Sequence, residues 1–359
     1  MSESRLVTIK KRLQKEIRKK LFPGCVFGLV KNNHQTIFSC GHFTYAKDSA
    51  EVKNGSVFDL ASITKSVPTA CLALLLIEEG KLGLDDQLIK YLPEFKNSDR
   101  KLVLIRHLLT HTLDFNRSFR LSALKNKKPA QILEAIYTTE FQTKPGQNFY
   151  YANANSVLLG LVVEKIFGQS LDKIAQKKFF KPLGMKKTAF HPLKLFSRDE
   201  IVPTEIDPWR GRVIQGEIHD ESAWALRPRI IAGSAGLFST AGDLLIFLKM
   251  ILNYGTLAGK KYFKKETIQK MITNQINGLG LSTGLGWEIN QPKFMGHYCG
   301  EKTFGKTGFT GCFCLGDIKK QVAFVFLCNA TYPKRKPRQV YSKNINQLRA
   351  DLANLVLKD

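Results

Sequence analysis

The run Ala70-Cys71-Leu72-Ala73-Leu74-Leu75-Leu76-Ile77 constrains the fold more than any other stretch, because as a helix it offers water no polar side. A helix apolar on every face is buried in a protein centre or placed in a membrane. This run is far short of the roughly 20 residues that a bilayer crossing needs. It therefore predicts a core helix over about Ser62 to Glu79, with Gly80 as its stop. Covering such a helix on all sides requires further layers, and 359 residues suffice for two packed units. An apolar content of 43% against 24% charged residues excludes a disordered chain.

Strand patterning sits near the two ends. Cys25 to Lys31 reads as a strand, Asn32-Asn33 as a turn and Thr36 to Ser39 as the return strand. Gly308 to Gly316 and Gln321 to Cys328 are rich in Phe, Cys, Val and Leu, with Ile318-Lys319-Lys320 as the turn between them. Leu6, Ile9, Leu13, Ile17 and Leu21 recur at helical spacing before Pro23-Gly24, and Ile345, Leu348, Leu352 and Val356 mark a closing helix. Between them Leu104 to Leu109, Ala130 to Tyr137, Val157 to Ile166 and Leu171 to Phe180 carry helical periods. Thr240 and Asp243 have capping-box spacing before Leu244 to Ile251. The expectation is an α/β unit made of residues 1–82 and 231–359, with a mostly helical unit, 83–230, inserted and the active site at their interface.

The net charge of +25 is spread over Lys125 to Lys128, Lys173 to Lys187, Lys260 to Lys270 and Lys319 to Arg338, without interleaved aromatics. Such dispersion reads as a solvated face, and no nucleic-acid partner is expected. The first helix has a basic outer face; it reads as packed on a sheet edge, with a weak contact to an anionic surface as a further partner. Met1 to Lys20 holds eight basic and two acidic residues with no apolar stretch of a secretory signal, which predicts a cytoplasmic protein. Seven cysteines without a C-x-x-C pair indicate neither a disulfide framework nor a zinc ribbon. Nothing in the sequence speaks to oligomeric state.

Three short elements carry chemistry. In Ser62-Ile63-Thr64-Lys65 the serine and lysine share a helix face, so the ammonium can steer the hydroxyl proton. The spacing alone is weak, since Ser98 with Lys101, Ser122 with Lys125 and Ser170 with Lys173 repeat it. Only Ser62 follows a strand-like Val57-Phe58-Asp59-Leu60 and opens the buried helix; taken alone it would be an N-cap serine. Tyr151-Ala152-Asn153 supplies a phenol for proton transfer near two ammonium groups and an amide to grip a substrate. Lys306-Thr307-Gly308, expected at the mouth of a strand, supplies positive charge and a close backbone approach. The N–H groups of Phe309 and Ser62 would form an oxyanion hole.

In this order the three elements resemble the class C β-lactamase-related and penicillin-binding-protein-like serine hydrolases. Further phrases extend the resemblance from about residue 22 to the end. They include Phe58-Asp59-Leu60-Ala61-Ser62, Tyr91-Leu92-Pro93-Glu94-Phe95, His107-Leu108-Leu109-Thr110-His111-Thr112, Lys144-Pro145-Gly146 and Ala235-Gly236-Leu237-Phe238-Ser239-Thr240. The resemblance implies a central antiparallel sheet flanked by terminal helices and an acyl-enzyme mechanism on an ester, amide or β-lactam, with no cofactor or metal. It also implies the roles: Ser62 as nucleophile, Lys65 as its partner, Tyr151 as base and acid, Lys306 as the third-box cation. Asn153, Thr307, Gly308 and Phe309 are then substrate contacts, and the substrate is a small or peptide-like molecule. One departure stands out: the family phrase continues His-Thr with Ser-Gly, whereas this chain has Leu113-Asp114. His107 and His111 have the i, i+4 spacing of a zinc pair but no intervening glutamate, and are read as structural. His219-Asp220-Glu221 is read as a loop near the cleft rim. The alternative to an enzyme is a catalytically silent scaffold bound to an anionic partner.

Overall fold

The computed structural model describes residues 2–32 and 34–358. The expected turn at Asn32-Asn33 therefore includes one residue, Asn33, outside the described set. Six strands form one sheet: β1 (Gly24–Lys31), β2 (His34–Gly41), β3 (Glu288–Ile289), β4 (Thr303–Thr307), β5 (Phe313–Asp317) and β6 (Val322–Cys328). Their order is β2-β1-β6-β5-β4-β3 and every neighbouring pair is antiparallel. The two ends of the chain meet in the β1–β6 pair, where Cys25 faces Cys328 and Lys31 faces Val322.

Both central strands are buried on both faces, which explains their near-continuous apolar sequence. Successive side chains point to opposite faces. Phe27, Leu29, Phe324 and Phe326 enter one apolar cluster with Ile9 and Leu13 of helix α1 (Glu3–Arg18) and Ile345, Leu348 and Leu352 of the C-terminal helix, 338–357. Val26, Val30, Val325 and Leu327 enter the other, with Leu244 and Leu245 of the helix Ala241–Leu252. A fully buried Leu or Phe contributes about 2 kcal/mol relative to exposure. The apolar face of α1 is thus consumed by the sheet, while Lys10, Lys11, Lys15, Arg18 and Lys19 are exposed.

Helix α2 (Cys71–Glu78) lies in the second cluster, as its sequence requires. The expected continuous helix from Ser62 is instead a tight 3₁₀ turn over Ala61–Lys65, wider turns over Ser66–Ala70, and then α2. Val67 breaks the ladder at φ −116°, ψ 108°, because a residue before proline is pushed out of the helical region by Pro68. The whole stretch Ala61–Glu78 has the length and apolarity of a membrane span, but 78% of it is buried inside the molecule.

A second correction concerns the third box. Gly308 to Gly316 is not one strand: β4 ends at Thr307, residues 308–312 form the hairpin loop, and β5 starts at Phe313. Gly311 sits at φ +113°, a conformation that breaks a strand and that only glycine adopts freely. Between 83 and 230 helices dominate, among them Ile105–Thr110, Pro129–Thr138 and α3 (Asn153–Phe167), with one short hairpin of Glu205–Asp207 and Arg212–Ile214. In chain order, Ala241–Leu252 is α4 and the C-terminal helix α5. Thr240 caps α4 through its hydroxyl, but the box is not reciprocal: Asp243 accepts from Lys187 N and Thr188 Oγ1 instead.

Candidate active site

Ser62 is the second residue of the 3₁₀ turn, and no side-chain cap precedes it. The turn is shaped from below by Asp59, a buried carboxylate. Its Oδ1 accepts the N–H of Ala61 at 2.8 Å, holding that residue at φ +46°, and its Oδ2 accepts the N–H of His219 at 2.8 Å. A left-handed alanine costs about 1 kcal/mol or more, and the hydrogen bond offsets it. Burial pushes the Asp59 carboxyl above its ordinary value despite these donors.

Lys65, one turn on, is buried and donates to Ser62 Oγ at 2.9 Å and to the Ser234 carbonyl at 2.8 Å. Of the four Ser-x-x-Lys matches, Ser98 instead donates to Glu140, and Ser170 stands at the N-terminus of helix Leu171–Ala175. Tyr151 precedes α3 in extended backbone, tied by the N–H of Tyr150 to the carbonyl of His111 at 2.8 Å. The residue is 37% exposed, open to a substrate, and lines the same cleft as Ser62. Lys65 Nζ lies 5.1 Å and Lys306 Nζ 4.8 Å from the ring centroid. Burial alone pushes the phenol up, but the two ammonium groups outweigh it and hold Tyr151 below its ordinary value. Lys306 reaches this position from the end of β4, where it donates a hydrogen bond to Glu288 of the neighbouring strand at 2.8 Å. Burial pulls the Lys306 ammonium down; Glu288 and Tyr151 outweigh that and raise it.

The loop after β4 completes the cleft. A Cβ on Gly308 would stand 2.5 Å from the Leu60 carbonyl, so only glycine lets this loop abut the serine turn. Thr310 Oγ1 donates to the Asp59 carbonyl at 2.8 Å, closing the same junction. From behind, Arg349 of α5 donates to the carbonyls of Gly308 at 2.8 Å and Cys312 at 3.0 Å, and Tyr341 donates to the carbonyl of Phe309. In a planar trans peptide the N–H points opposite to the C=O. With the Gly308 carbonyl aimed at Arg349, the Phe309 N–H faces away from that guanidinium.

Thus Ser62, Tyr151, Asn153 and Phe309 line one cleft of about 480 Å³, with Lys65 and Lys306 buried against Tyr151. Thr307 and Gly308 end the strand and set the loop without lining the cleft. Asn153 opens α3, and its Nδ2 donates to Asp220 Oδ2 at 3.0 Å, which orients the amide. Asp220 also caps the helix Glu221–Ala225 by accepting from Ala223 N and Ser222 Oγ. His219 stacks on Phe309 with ring centroids 5.7 Å apart and pairs with Glu205 at 2.8 Å. His219-Asp220-Glu221 is therefore part of the cleft wall and supports two of its members.

The two histidines of the expected structural pair have separate tasks. His107 Nδ1 accepts the N–H of Leu104 at the start of helix Ile105–Thr110. His111 lies 4.7 Å from Tyr151 between ring centroids, and its Nδ1 meets Asn155 Nδ2 at 3.1 Å. Burial, Lys306 and Lys65 keep it well below its ordinary value, so it packs under Tyr151 as a neutral ring. Among the described residues no group of three His, Cys, Asp or Glu side chains is placed to hold a metal ion. Glu288 and Arg349 carried no sequence signal of their own, and Asp59 stood in a recognised phrase that says nothing of its buried contacts. His111 and Asp220 lay inside recognised phrases whose physical role the phrases do not state.

Fold and site together define a serine hydrolase. The β-lactamase family model matches residues 9–345, and the chain belongs to that family. A protein from Escherichia coli (strain K12), whose assigned activity as a D-alanyl-D-alanine carboxypeptidase is itself provisional, is 31% identical over 323 residues, covering 80% of this chain and 73% of that one. Among solved structures, a β-lactamase/D-alanine carboxypeptidase from Pseudomonas syringae shares the fold at a TM-score of 0.74, with 18% identity and 99% of each chain covered. EstCE1, a hydrolase with promiscuous acyltransferase activity, does so at a TM-score of 0.75, with 20% identity, 97% of this chain and 99% of that one.

Proposed function

We propose that Ser62 attacks the carbonyl of an ester, amide or lactam, forming the Oγ–acyl bond as its proton passes to the Lys65–Tyr151 pair. The oxyanion is held by the N–H groups of Ser62 and Phe309. Tyr151 returns the proton to the leaving oxygen or nitrogen as the scissile bond breaks, then takes one from the water that releases the acid and restores Ser62. The observation that carries this reading is the placement of a lowered phenol between two ammonium groups and against the serine hydroxyl. Segments 1–82 with 231–359, and 83–230, act as the two sides of the cleft.

The substrate is a small or peptide-like molecule. The carboxypeptidase name of the Escherichia coli relative supports a D-alanyl peptide, and the EstCE1 likeness an ester. Parallel assays with a nitrophenyl ester, a chromogenic cephalosporin and a D-alanyl-D-alanine peptide separate these. Incubation with a fluorophosphonate or a penicillin, followed by peptide mass mapping, is expected to label Ser62; label retained in Ser62→Ala would refute the mechanism. A reducing, cytoplasmic compartment is proposed, supported by cysteines held as thiols, six of them buried. The exposed basic face of α1 supports a weak electrostatic contact with an anionic surface. Because Ile9 and Leu13 are buried, no apolar face is left to insert, and the contact should vanish in high salt.

A further inference from the structure

The helical side of the cleft carries cations that the catalytic set does not use. Arg117 and Arg120 line the cleft that contains Ser62, beside Phe115, Phe119 and Tyr150. The other cations there also have partners: Arg335 pairs with Glu205 at 2.7 Å and Glu221 at 2.9 Å, Lys306 with Glu288, and Lys65 donates to Ser62 Oγ and the Ser234 carbonyl. Arg117 pairs with Asp114 at 2.8 Å but keeps half of its side chain exposed. Asp220 has both oxygens engaged by Asn153, Ser222 and Ala223. Arg120 is exposed, and its guanidinium has no hydrogen bond or ion pair among the described residues.

Arg117 is held for a purpose its own exposure does not explain. Asp114, only 1% exposed, places Oδ1 2.8 Å from the Arg117 guanidinium and accepts Asn148 Nδ2 on Oδ2 at 2.9 Å. The guanidinium carbon lies 3.9 Å from the centre of the Tyr150 ring. Burying a carboxylate is costly, and here it fixes an arginine on an aromatic wall of the cleft. Asp114 is also one of the two residues, with Leu113, at which the chain departs from the Ser-Gly of the family phrase.

We propose that Arg117 and Arg120 form an anion subsite, and that the preferred substrate carries a carboxylate within reach of it while its scissile carbonyl meets Ser62. The planar fork of arginine matches a carboxylate, and the neighbouring aromatic rings cover the carbon chain between the two groups. This inference rests on the hydrolase reading and names the substrate class of that site.

The test compares nitrophenyl valerate with the nitrophenyl half-ester of glutarate, and a second ester pair in which the carboxylate sits on the leaving group. At least one anionic ester is expected to exceed its neutral partner tenfold or more in kcat/KM, with the advantage falling as salt rises. Arg120→Ala and Arg117→Ala should collapse that ratio, and Arg120→Lys should keep most of it. The variants are compared at an unchanged Tm, so that a ratio left unmoved reports on the subsite and not on misfolding. Ratios near one in both pairs, or ratios indifferent to the arginines, overturn the proposal. Calorimetry on Ser62→Ala gives a reading without turnover: glutarate monoamide should bind at least tenfold tighter than valeramide, and lose that margin on adding Arg120→Ala. Equal binding overturns the subsite; absence of turnover by the native chain on the esters, the cephalosporin and the D-alanyl-D-alanine peptide alike, with no acyl label on Ser62, overturns the hydrolase reading instead.

Discussion

The wall that ends in Phe309 and the wall that carries Arg117 line the same cleft, yet they are secured in different ways. The Phe309 loop is fastened by buried groups on three sides: Arg349 and Tyr341 from α5, Thr310 on the Asp59 carbonyl, and Gly308 against Leu60. The loop from Asp114 to Arg120 is anchored at its start, by the Asp114 carboxylate, the buried Phe115 ring and the backbone bonds of Gln142 N to Asp114 O at 2.7 Å and Asn116 N to Glu140 O at 3.0 Å. From Arg117 on, its backbone has only local bonds among the described residues, such as Phe119 N to Asn116 O at 2.9 Å. A donor aimed at a developing oxyanion loses its effect when it shifts by an ångström, whereas a charge that steers a flexible anion tolerates more. The comparison predicts steep catalytic losses from one wall and shallow, substrate-dependent ones from the other.

The largest effect is expected where the Phe309 wall meets the proton-transfer group. Lys306→Gln should lower kcat by about 10²–10⁴. It should also move the acidic limb of the kcat/KM profile. Tyr151 as base must be ionised, so activity falls as pH drops through its pKa. Removing one of the two ammonium groups lets that pKa return toward the ordinary phenol value, and the limb shifts to higher pH. A limb that stays in place would show that another group sets it.

Arg349→Gln comes next. Losing the clamp on the Gly308 and Cys312 carbonyls should misdirect the Phe309 N–H, lowering kcat by roughly 10²-fold with a smaller change in KM. Arg349→Lys, which retains a donor, should recover part of it. Equal losses in kcat for Gln and Lys with an unaltered Tm would show that this wall does not depend on α5.

The same contrast explains what the sequence disclosed. Serine, lysine and tyrosine were legible because Ser62 and Lys65 stand one helical turn apart and the surrounding phrases are specific. The core helix was legible because nothing polar interrupts residues 70–77, though Pro68 broke its first turns in a way periodicity does not register. The partners that make the site work were not legible. Glu288 and Arg349 lie 18 and 41 residues from the groups they hold, beyond any local spacing rule. Strand and hairpin were also exchanged at the third box, because Phe, Cys and Leu after Gly308 look like strand whichever side of the turn they occupy. Arg117 and Arg120 were hidden by the chain's abundance of basic residues; only Asp114, as a departure from a phrase, marked their loop.

The smallest expected effect belongs to Asp114→Asn, and it tests the comparison most directly. Asparagine preserves shape and can still accept from Asn148, so the loop keeps part of its anchoring. What goes is the charge opposite Arg117, whose guanidinium is about half exposed and will be solvated. The Asp114–Arg117 contact is an ion pair whose arginine is half exposed, and such a pair contributes at most about 1 kcal/mol, so stability should fall by about 1 kcal/mol or less. Turnover of a neutral ester should fall only about two- to fivefold, because nothing on the serine, tyrosine or Phe309 side moves. The anionic ester should lose more through KM than through kcat, since Arg117 would leave its place on Tyr150 while the reacting groups remain aligned. A loss of kcat comparable to that of Arg349→Gln would mean that the helical wall positions the chemistry as strictly as the sheet wall does, and the distinction between the two would fail.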